Sequence, residues 1–219
     1  EQGSLTISEV AKNVPGVYTF ATYGNKRESM SSRGFRGIPI LKNGVRIHSD
    51  FRGVGVLTDM QGVDNMQILK GSSAITQGVA TDIGSPGGVI NLVTKTPKFY
   101  TGGSVGIRGN SFGNARATFD VYSPINKKET IAFRINGAVE GGKTYRSMVS
   151  NDRIYINPSL KWLVGKKTSV TMEMDYFSDG RTPDMGTVNL GENDENKIYN
   201  LPVDRFLGFK NDRSNTMNT

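Results

Sequence analysis

The sequence contains no cysteine and a single histidine, His48, among its 219 residues. A chain without cysteine holds no disulfide framework and no cysteine-based metal site, and this absence alone indicates no compartment. The sequence also lacks GxSxG, HExxH and phosphate-loop patterns, and nothing in it brings a serine, His48 and an acid together. We therefore expect no enzyme, no catalytic residue, no bound metal and no cofactor.

Long apolar runs are also absent. No stretch approaches the ~20 apolar residues that a membrane-spanning helix needs. The opening residues, EQGSLTISEV, do not resemble a signal peptide. The net charge is +7, from 27 basic and 20 acidic residues. The basic residues are scattered and form no known nucleic-acid-binding motif, so nucleic acid is not an expected partner.

The first part of the chain mixes helix and strand signals. Ser4 is a candidate cap for a short helix that Pro15 and Gly16 would end. Asn43–Gly44 lies between two short β-prone arms, which is a strong hairpin signal. The stretch VDNMQILKG predicts another short strand that stops at Gly71. Alternating signals of this kind predict a small α+β domain.

The stretch GSPGGVINLVTKTPK, residues 84–98, predicts the end of that domain. Pro86 and a glycine pair indicate a turn, and Val89 to Thr94 is β-rich. Pro97 then prevents continuation as a central strand. We therefore divide the chain into residues 1–98 and residues 99–219.

After Pro97 the apolar residues recur with a period of two. Between Thr130 and Glu140, the odd positions are mostly large and apolar, whereas the even positions include Arg134 and Asn136. Similar alternation defines five candidate strands, several of them ~10 residues long, which is typical of an outer-membrane β-barrel. SPINKKE and VGKK indicate short connections, whereas GGKTYRSMVSND and the residues after Asp179 indicate longer ones. The charged residues expected to face the lumen are Arg134, Glu140, Arg153, Lys161, Glu173 and Asp175.

An antiparallel β-sandwich with one face in water shows the same alternation. Such a protein would be a binding or adhesion module that transports nothing. Its strands are usually shorter, at ~5–6 residues. Alternation alone therefore leaves both architectures open.

Five short motifs carry a family resemblance: KNVPGV, SRGF, NGVRI, VDNMQILKG and SPGGVINLVTKTPK. Their order resembles the plug domain of TonB-dependent outer-membrane receptors, and LPVDRFLGF is similar to a long outer loop of the ferric-siderophore members. The resemblance implies an α+β plug over residues 1–98. It implies that residues 99–219 are about five antiparallel strands, the first part of a transmembrane β-barrel of about 22 strands. Five strands cannot close a barrel, so we expect this chain to be a piece of a longer protein.

The same resemblance implies a function at the bacterial outer membrane. Such a receptor binds a ferric siderophore outside the cell and imports it with energy from a TonB-type periplasmic protein. The TonB contact box of the family is not in this chain. The partners implied are the siderophore, the TonB-type protein and outer-membrane lipid, and the siderophore is cargo rather than a cofactor. The same fold also imports cobalamin, haem, glycans or peptides, which remain alternatives.

The resemblance also implies a ligand site at the apex of the plug. Arg33 and His48 occupy the positions that face the ligand in this family, and Phe51 and Arg52 are weaker candidates on the same loop. An arginine fork offers charged donors to the oxygens around a chelated metal, and histidine adds one more donor. The alternative is that Arg33 only pins the plug to the wall and His48 is an ordinary loop residue.

Overall fold

A computed structural model describes residues 5–11, 13–21, 24, 28–47, 58–71, 87–186, 201–209 and 212–218. The chain divides into two compact units. One contains residues 1–22 and 26–96, and the other contains residues 23–25 and 97–219. No helix within the described ranges is long and apolar enough to cross a membrane.

The first unit begins with a short helix, α1 (Ile7–Ala11), whose two end residues are buried. Because the helix starts at Ile7, the cap position falls on Thr6 rather than on the predicted Ser4, which lies outside the described residues. The Thr6 hydroxyl accepts a hydrogen bond from the Glu9 N–H at 3.3 Å. The carboxylate of Glu28 accepts two further N–H groups of the first turn, at 3.0 and 3.2 Å. A residue distant in sequence therefore completes the cap.

Two small sheets form the rest of the first unit. The first is antiparallel, in the order β1-β2-β3, and consists of β1 (Val17–Ala21), β2 (Ser29–Ser32) and β3 (Phe35–Arg36). The second has the order β5-β4-β7-β6 and consists of β4 (Ile40–Lys42), β5 (Val45–Ile47), β6 (Val63–Leu69) and β7 (Val89–Thr94). A 3₁₀ helix (Met60–Gly62) precedes β6. Strand β7 pairs parallel with β4 and antiparallel with β6, so it is a central strand.

The core of the first unit joins the helix to both sheets. Its buried members are Ile7, Ala11, Val17, Met30, Ile38, Ile40, Ile90 and Leu92. Three of these are fully buried isoleucine or leucine side chains on α1 and β7, each contributing about 1.5–3 kcal/mol relative to exposure. The first unit is therefore a small α+β unit, as the sequence predicts.

The glycine pair before β7 is required by close backbone approach. A Cβ atom on Gly88 would lie 1.9 Å from the Leu69 carbonyl oxygen, and Gly88 has a φ of +112°. A Cβ atom on Gly87 would lie 2.8 Å from the Ser32 carbonyl oxygen. The pair therefore lets β7 enter the sheet between two neighbouring backbone segments.

The second unit is a seven-stranded antiparallel sheet. Its main path has the order β14-β13-β11-β10-β9-β8, and β12 pairs with β11 beside that path. The strands are β8 (Gly102–Gly109), β9 (Ala115–Pro124), β10 (Ile131–Lys143), β11 (Ser150–Leu163), β12 (Ser169–Glu173), β13 (Tyr176–Arg181) and β14 (Ser214–Asn218). Both β12 and β13 pair with β11, at successive stretches of it, so residues 174–175 interrupt what the sequence predicted as a single strand.

Of the two long connections predicted, one is wrong and one is confirmed. The region GGKTYRSMVSND forms no long loop, because β10 and β11 extend into it and leave only residues 144–149 between them. The long connection predicted after Asp179 is confirmed, since β13 ends at Arg181 and the next described strand, β14, begins at Ser214. The sequence pattern did not predict β14.

The predicted alternation of faces is confirmed by the strand register. Phe133, Leu160 and Met172 form one cross-strand row, and their immediate neighbours Arg134, Ser159 and Glu173 form the adjacent row on the opposite face. Exposed large apolar side chains, including Val105, Ile107, Val139 and Ile154, share the first face. The sheet is therefore apolar on one side and polar on the other.

Candidate functional site

Arg33 lies in a tight hairpin turn of the first unit. The turn joins β2 to β3, with Ser32 and Phe35 as the closing pair. Arg33 has a φ of 52° and Gly34 a φ of 83°, the two positive values that define a type I′ turn. The Arg33 N–H donates to the Gly16 carbonyl at 2.9 Å, and this bond holds the turn against the chain before β1.

The conformation of Arg33 is costly for an arginine. Positive φ suits glycine and asparagine, whereas other side chains crowd the backbone there. The same unit contains a second turn of this type at Asn43–Gly44, with φ values of 50° and 82°, where the residue at the first position is the favoured asparagine. Strained residues that a fold retains occur often at functional sites. Glu129 and Met148 in the second unit also have positive φ values, of 51° and 66°, so the conformation of Arg33 by itself assigns no role to its side chain.

The side chain of Arg33 is exposed beside an exposed aromatic ring. Its Nη1 lies 3.4 Å from the position that a Cβ on Gly71 would take, so the guanidinium extends over the end of β6. Within the described part of the chain, that guanidinium makes no hydrogen bond or ion pair. Phe35 is 45% exposed, and Arg36 is exposed beside it. The hairpin therefore places the guanidinium of Arg33 and the ring of Phe35 at the surface of the first unit.

The other three predicted site residues, His48, Phe51 and Arg52, lie outside the described residues. Their approach to Arg33 stays a prediction. Phe35 and Arg36 were not among the predicted residues, although Phe35 is part of the motif SRGF. No group of three or more metal-ligating acids or histidines occurs among the residues that the structure describes.

Ion pairs cover the polar face of the second unit. Arg134 holds Asp120 through two bonds, Nε–Oδ1 at 2.8 Å and Nη2–Oδ2 at 2.7 Å, and both residues are buried. Arg116 pairs with Glu140 at 2.9 Å. Further along the sheet, Asp179 accepts from both Arg153 and Arg181. Paired charges of this kind are satisfied and structural, as expected of a wall that faces a polar interior.

Buried amides continue this polar network. Asn136 and Asn157 are fully buried, and the Asn136 amide donates to the Asn157 side-chain oxygen at 3.0 Å. The Asn157 amide donates in turn to the carboxylates of Glu173 and Asp175, at 2.9 and 2.8 Å. Tyr155 adds a third donor to this group, because its hydroxyl donates to Asp175 at 2.9 Å. The network spans β10 to β12 and fixes their register.

A second cluster of polar contacts surrounds the turn at residues 144–149, where β10 ends and β11 begins. Arg146 pairs with Asp184 through Nε–Oδ2 at 2.7 Å and donates from Nη1 to the Arg205 carbonyl at 2.9 Å. The Ser147 N–H donates to the Asp204 carbonyl at 3.0 Å. These bonds fasten LPVDRFLGF, the segment that resembles an outer loop, to the turn between β10 and β11.

Lys98 lies where the second unit begins, against two tyrosine rings. Its Nζ is 5.5 Å from the Tyr100 ring centroid and 5.0 Å from that of Tyr122. A hydrogen bond to the Tyr100 side chain raises the pKa of Lys98, and the same hydrogen bond lowers the pKa of Tyr100. The Tyr122 ring also covers Gly102, where a Cβ would lie 2.5 Å from the tyrosine hydroxyl.

Comparison with known proteins agrees with this architecture. Residues 1–89 match the family model described as the TonB-dependent receptor plug domain. The metal-pseudopaline receptor CntO of Pseudomonas aeruginosa is 30% identical over 161 residues, which are 74% of this chain and 22% of that protein. The chain thus spans about a quarter of the length of the curated relatives it matches.

Two solved structures have the same fold over most of this chain. The ferric-catecholate import receptor Fiu from Escherichia coli K12, in an open form, is 27% identical with a TM-score of 0.73, covering 87% of this chain and 27% of that one. The pyoverdine outer-membrane receptor FpvA of P. aeruginosa, bound to pyoverdine, is 26% identical with a TM-score of 0.72, covering 83% and 26%.

The chain belongs to the TonB-dependent receptors, proteins of the bacterial outer membrane. The family and the location predicted from the sequence motifs are confirmed. The relatives are named as transport receptors rather than as enzymes, which agrees with the expectation from the missing catalytic motifs.

Proposed function

We propose that the protein containing this chain binds a ferric siderophore at the cell surface and imports it through the outer membrane with TonB-supplied energy. The observation that carries this proposal is a plug-domain sequence followed directly by amphipathic antiparallel strands, in a chain whose relatives are named as siderophore receptors. Residues 1–98 act as the plug and residues 99–219 as the first part of a barrel wall of about 22 strands.

Transport is tested by uptake under iron limitation. A strain that lacks the complete gene is supplied with one ⁵⁵Fe-labelled siderophore at a time, with and without a plasmid copy and in TonB-positive and TonB-negative backgrounds. We expect one siderophore class to be taken up only with both the receptor and TonB. The proposal would be rejected if uptake were equal with and without TonB, or if the receptor increased the uptake of no siderophore.

A second candidate cargo is a metal complex that carries no iron. The relative with 30% identity is named as a receptor for metal-pseudopaline, which does not specify iron. Element analysis of the same strains, grown with each metal in turn, separates the two cargoes. Accumulation of zinc, nickel or cobalt in place of iron identifies the second.

The orientation of the wall predicts different environments for adjacent residues on β8. Val105 lies on the apolar face and is 79% exposed, whereas Ser104 lies on the polar face opposite Asp120. A nitroxide at Val105 in the complete receptor should be accessible to oxygen dissolved in lipid, and one at Ser104 should not. Access of a water-soluble relaxation agent to both labels would contradict the assignment of the apolar face to lipid.

If Arg33 binds the ligand, one substitution there should raise the stability of the plug and lower the affinity for the ferric siderophore. Arg33→Asn replaces a strained arginine with a residue suited to the turn, so we expect the plug to become about 1 kcal/mol more stable. The same change removes the guanidinium fork, so we expect ferric-siderophore affinity to fall about tenfold or more. Calorimetric binding and thermal unfolding of the complete receptor measure the two effects.

Two further variants complete that experiment. His48→Ala should also weaken binding without lowering the amount of folded receptor. Lys127→Ala removes one exposed cation from a turn of the second unit and serves as the control for net charge. Unchanged affinity in both Arg33→Asn and His48→Ala would remove this site from consideration.

A further inference from the structure

Four lysines gather at one end of the second unit. Lys127 and Lys128 lie in the turn between β9 and β10, and Lys166 and Lys167 lie in the turn between β11 and β12. Because β10 and β11 pair along their whole lengths, with Ile131 opposite Trp162, these two turns lie side by side. All four lysines are exposed, and none has a hydrogen bond or ion pair within the described ranges. Glu129 is the only acidic residue in the two turns.

A groove opens on the apolar face of β10, β11 and residues 172–174, near the end of the sheet that carries the lysines. Its volume is about 330 Å³, and almost all of its exposed lining is apolar. Pro158 lies between Ile135 and Met174 in one cross-strand row, and its compact ring leaves a depression among longer side chains. The apolar lining residues are Phe133, Ile135, Pro158, Leu160, Met172 and Met174.

Trp162 lies between the groove and the lysines. It belongs to the apolar face and is 47% exposed, in the cross-strand row next to that of Leu160. From Leu160 to the end of β11 the chain advances three residues, or ~10 Å at the rise of a strand. Along the strand axis the surface is therefore cationic, then amphipathic at an indole, then apolar. This is the order of phosphate, glycerol ester and acyl chain in a phospholipid.

The end of the wall with the lysines faces the periplasm. The turns at the other end of the sheet, residues 110–114 and 144–149, are as short as the two lysine turns, but β13 also ends there and the next described strand begins only at Ser214. In outer-membrane barrels the short turns are periplasmic and the long loops are extracellular. The leaflet at this level consists of glycerophospholipids.

We infer that this part of the wall binds an anionic glycerophospholipid of the periplasmic leaflet. Its phosphate pairs with the lysines of the two turns, and one acyl chain occupies the groove around Pro158. Charge complementarity selects the anionic headgroup, because the two turns carry four cations and a single acid. The site is built from residues outside the plug and does not depend on which cargo the receptor carries.

Lipid retention by the complete receptor tests this inference. The purified receptor in mild detergent is incubated with phosphatidylglycerol, phosphatidylcholine or lipopolysaccharide, and bound lipids are counted by native mass spectrometry. We expect phosphatidylglycerol to be retained in preference to both others. Lys166→Gln with Lys167→Gln, and separately Lys127→Gln with Lys128→Gln, should each lower its affinity on the order of tenfold.

Two further variants separate the site from general effects. Met172→Trp fills the groove and leaves all charges in place, so it should lower phosphatidylglycerol retention without changing the effect of salt on binding. Lys143→Gln with Arg205→Gln removes two exposed cations at the opposite end of the sheet and should leave retention unchanged. The inference is overturned if both lysine pairs can be neutralised without loss of phosphatidylglycerol, or if lipopolysaccharide is the lipid retained.

Discussion

A Gly88→Ala variant of the complete receptor is expected to lose the packed plug sheet. The added Cβ would lie 1.9 Å from the Leu69 carbonyl oxygen, so β6 and β7 must separate at the point where they pair. Overpacking costs about 1–3 kcal/mol, and an alanine at positive φ costs roughly 1–2 kcal/mol more. Since β7 is central, we expect the amide protons of β4, β6 and β7 to exchange faster together.

Gly16→Ala is the matched control for this experiment. Gly16 also has a positive φ, at +78°, but among the described residues no atom beyond its two chain neighbours lies within 4 Å of the position of its Cβ. It should therefore show only the conformational part of the cost, about 1–2 kcal/mol. Hydrogen exchange followed by mass spectrometry reports both variants. Equal protection of β7 in the two proteins would contradict the proposed clash.

The second large effect is expected from Asp120→Ala in the wall. This change leaves the guanidinium of Arg134 buried without its carboxylate, and removing one partner of a buried pair costs about 3–5 kcal/mol. We expect the urea midpoint of the complete receptor in lipid vesicles to fall accordingly. Added salt should change this loss little, because a buried pair is poorly screened.

Asp152→Ala is the control for this experiment, because it breaks an exposed ion pair instead of a buried one. Asp152 pairs with Arg213, and their side chains are 62% and 43% exposed. An exposed pair contributes ~0.2–1 kcal/mol, so this variant should unfold almost as the wild type does. A double variant, Asp120→Ala with Arg134→Met, should recover part of the loss because it removes the orphaned charge. Similar urea midpoints for the Asp120→Ala and Asp152→Ala variants would show that the buried pair contributes no more to stability than the exposed pair.

The parts of the fold predicted from sequence are those with local signals. Alternation along β10 and β11 depends only on the geometry of a strand, and Asn43–Gly44 defines its own turn. Strand β14 has the sequence SNTMN, in which Met217 is the single apolar residue, so no alternation marked it. The parallel pairing of β4 with β7 joins residues about fifty positions apart, and no local pattern encodes such a register.

The candidate site was predictable only as a set of residue types. SRGF pointed to Arg33, but the strained turn did not show in the sequence, because Arg–Gly is not a usual type I′ pair. The wall charges were also recognisable, whereas their partners were not. Arg134 lies directly opposite Tyr122, and its carboxylate partner Asp120 lies diagonally across, so only the strand register identifies the pair.

The parallel pairing of β4 with β7 has a mechanical consequence. A pull on the chain from its N-terminal side, opposed where the chain continues past Pro97, acts on the start of β4 and on the end of β7. In a parallel pair these points are at opposite ends, so the hydrogen bonds between the two strands are loaded together in shear. In the antiparallel pair β1–β2 the same force acts at one end of the pair, so its hydrogen bonds break one after another. Tension should therefore peel α1 and β1 to β3 away first and meet its main resistance at β4.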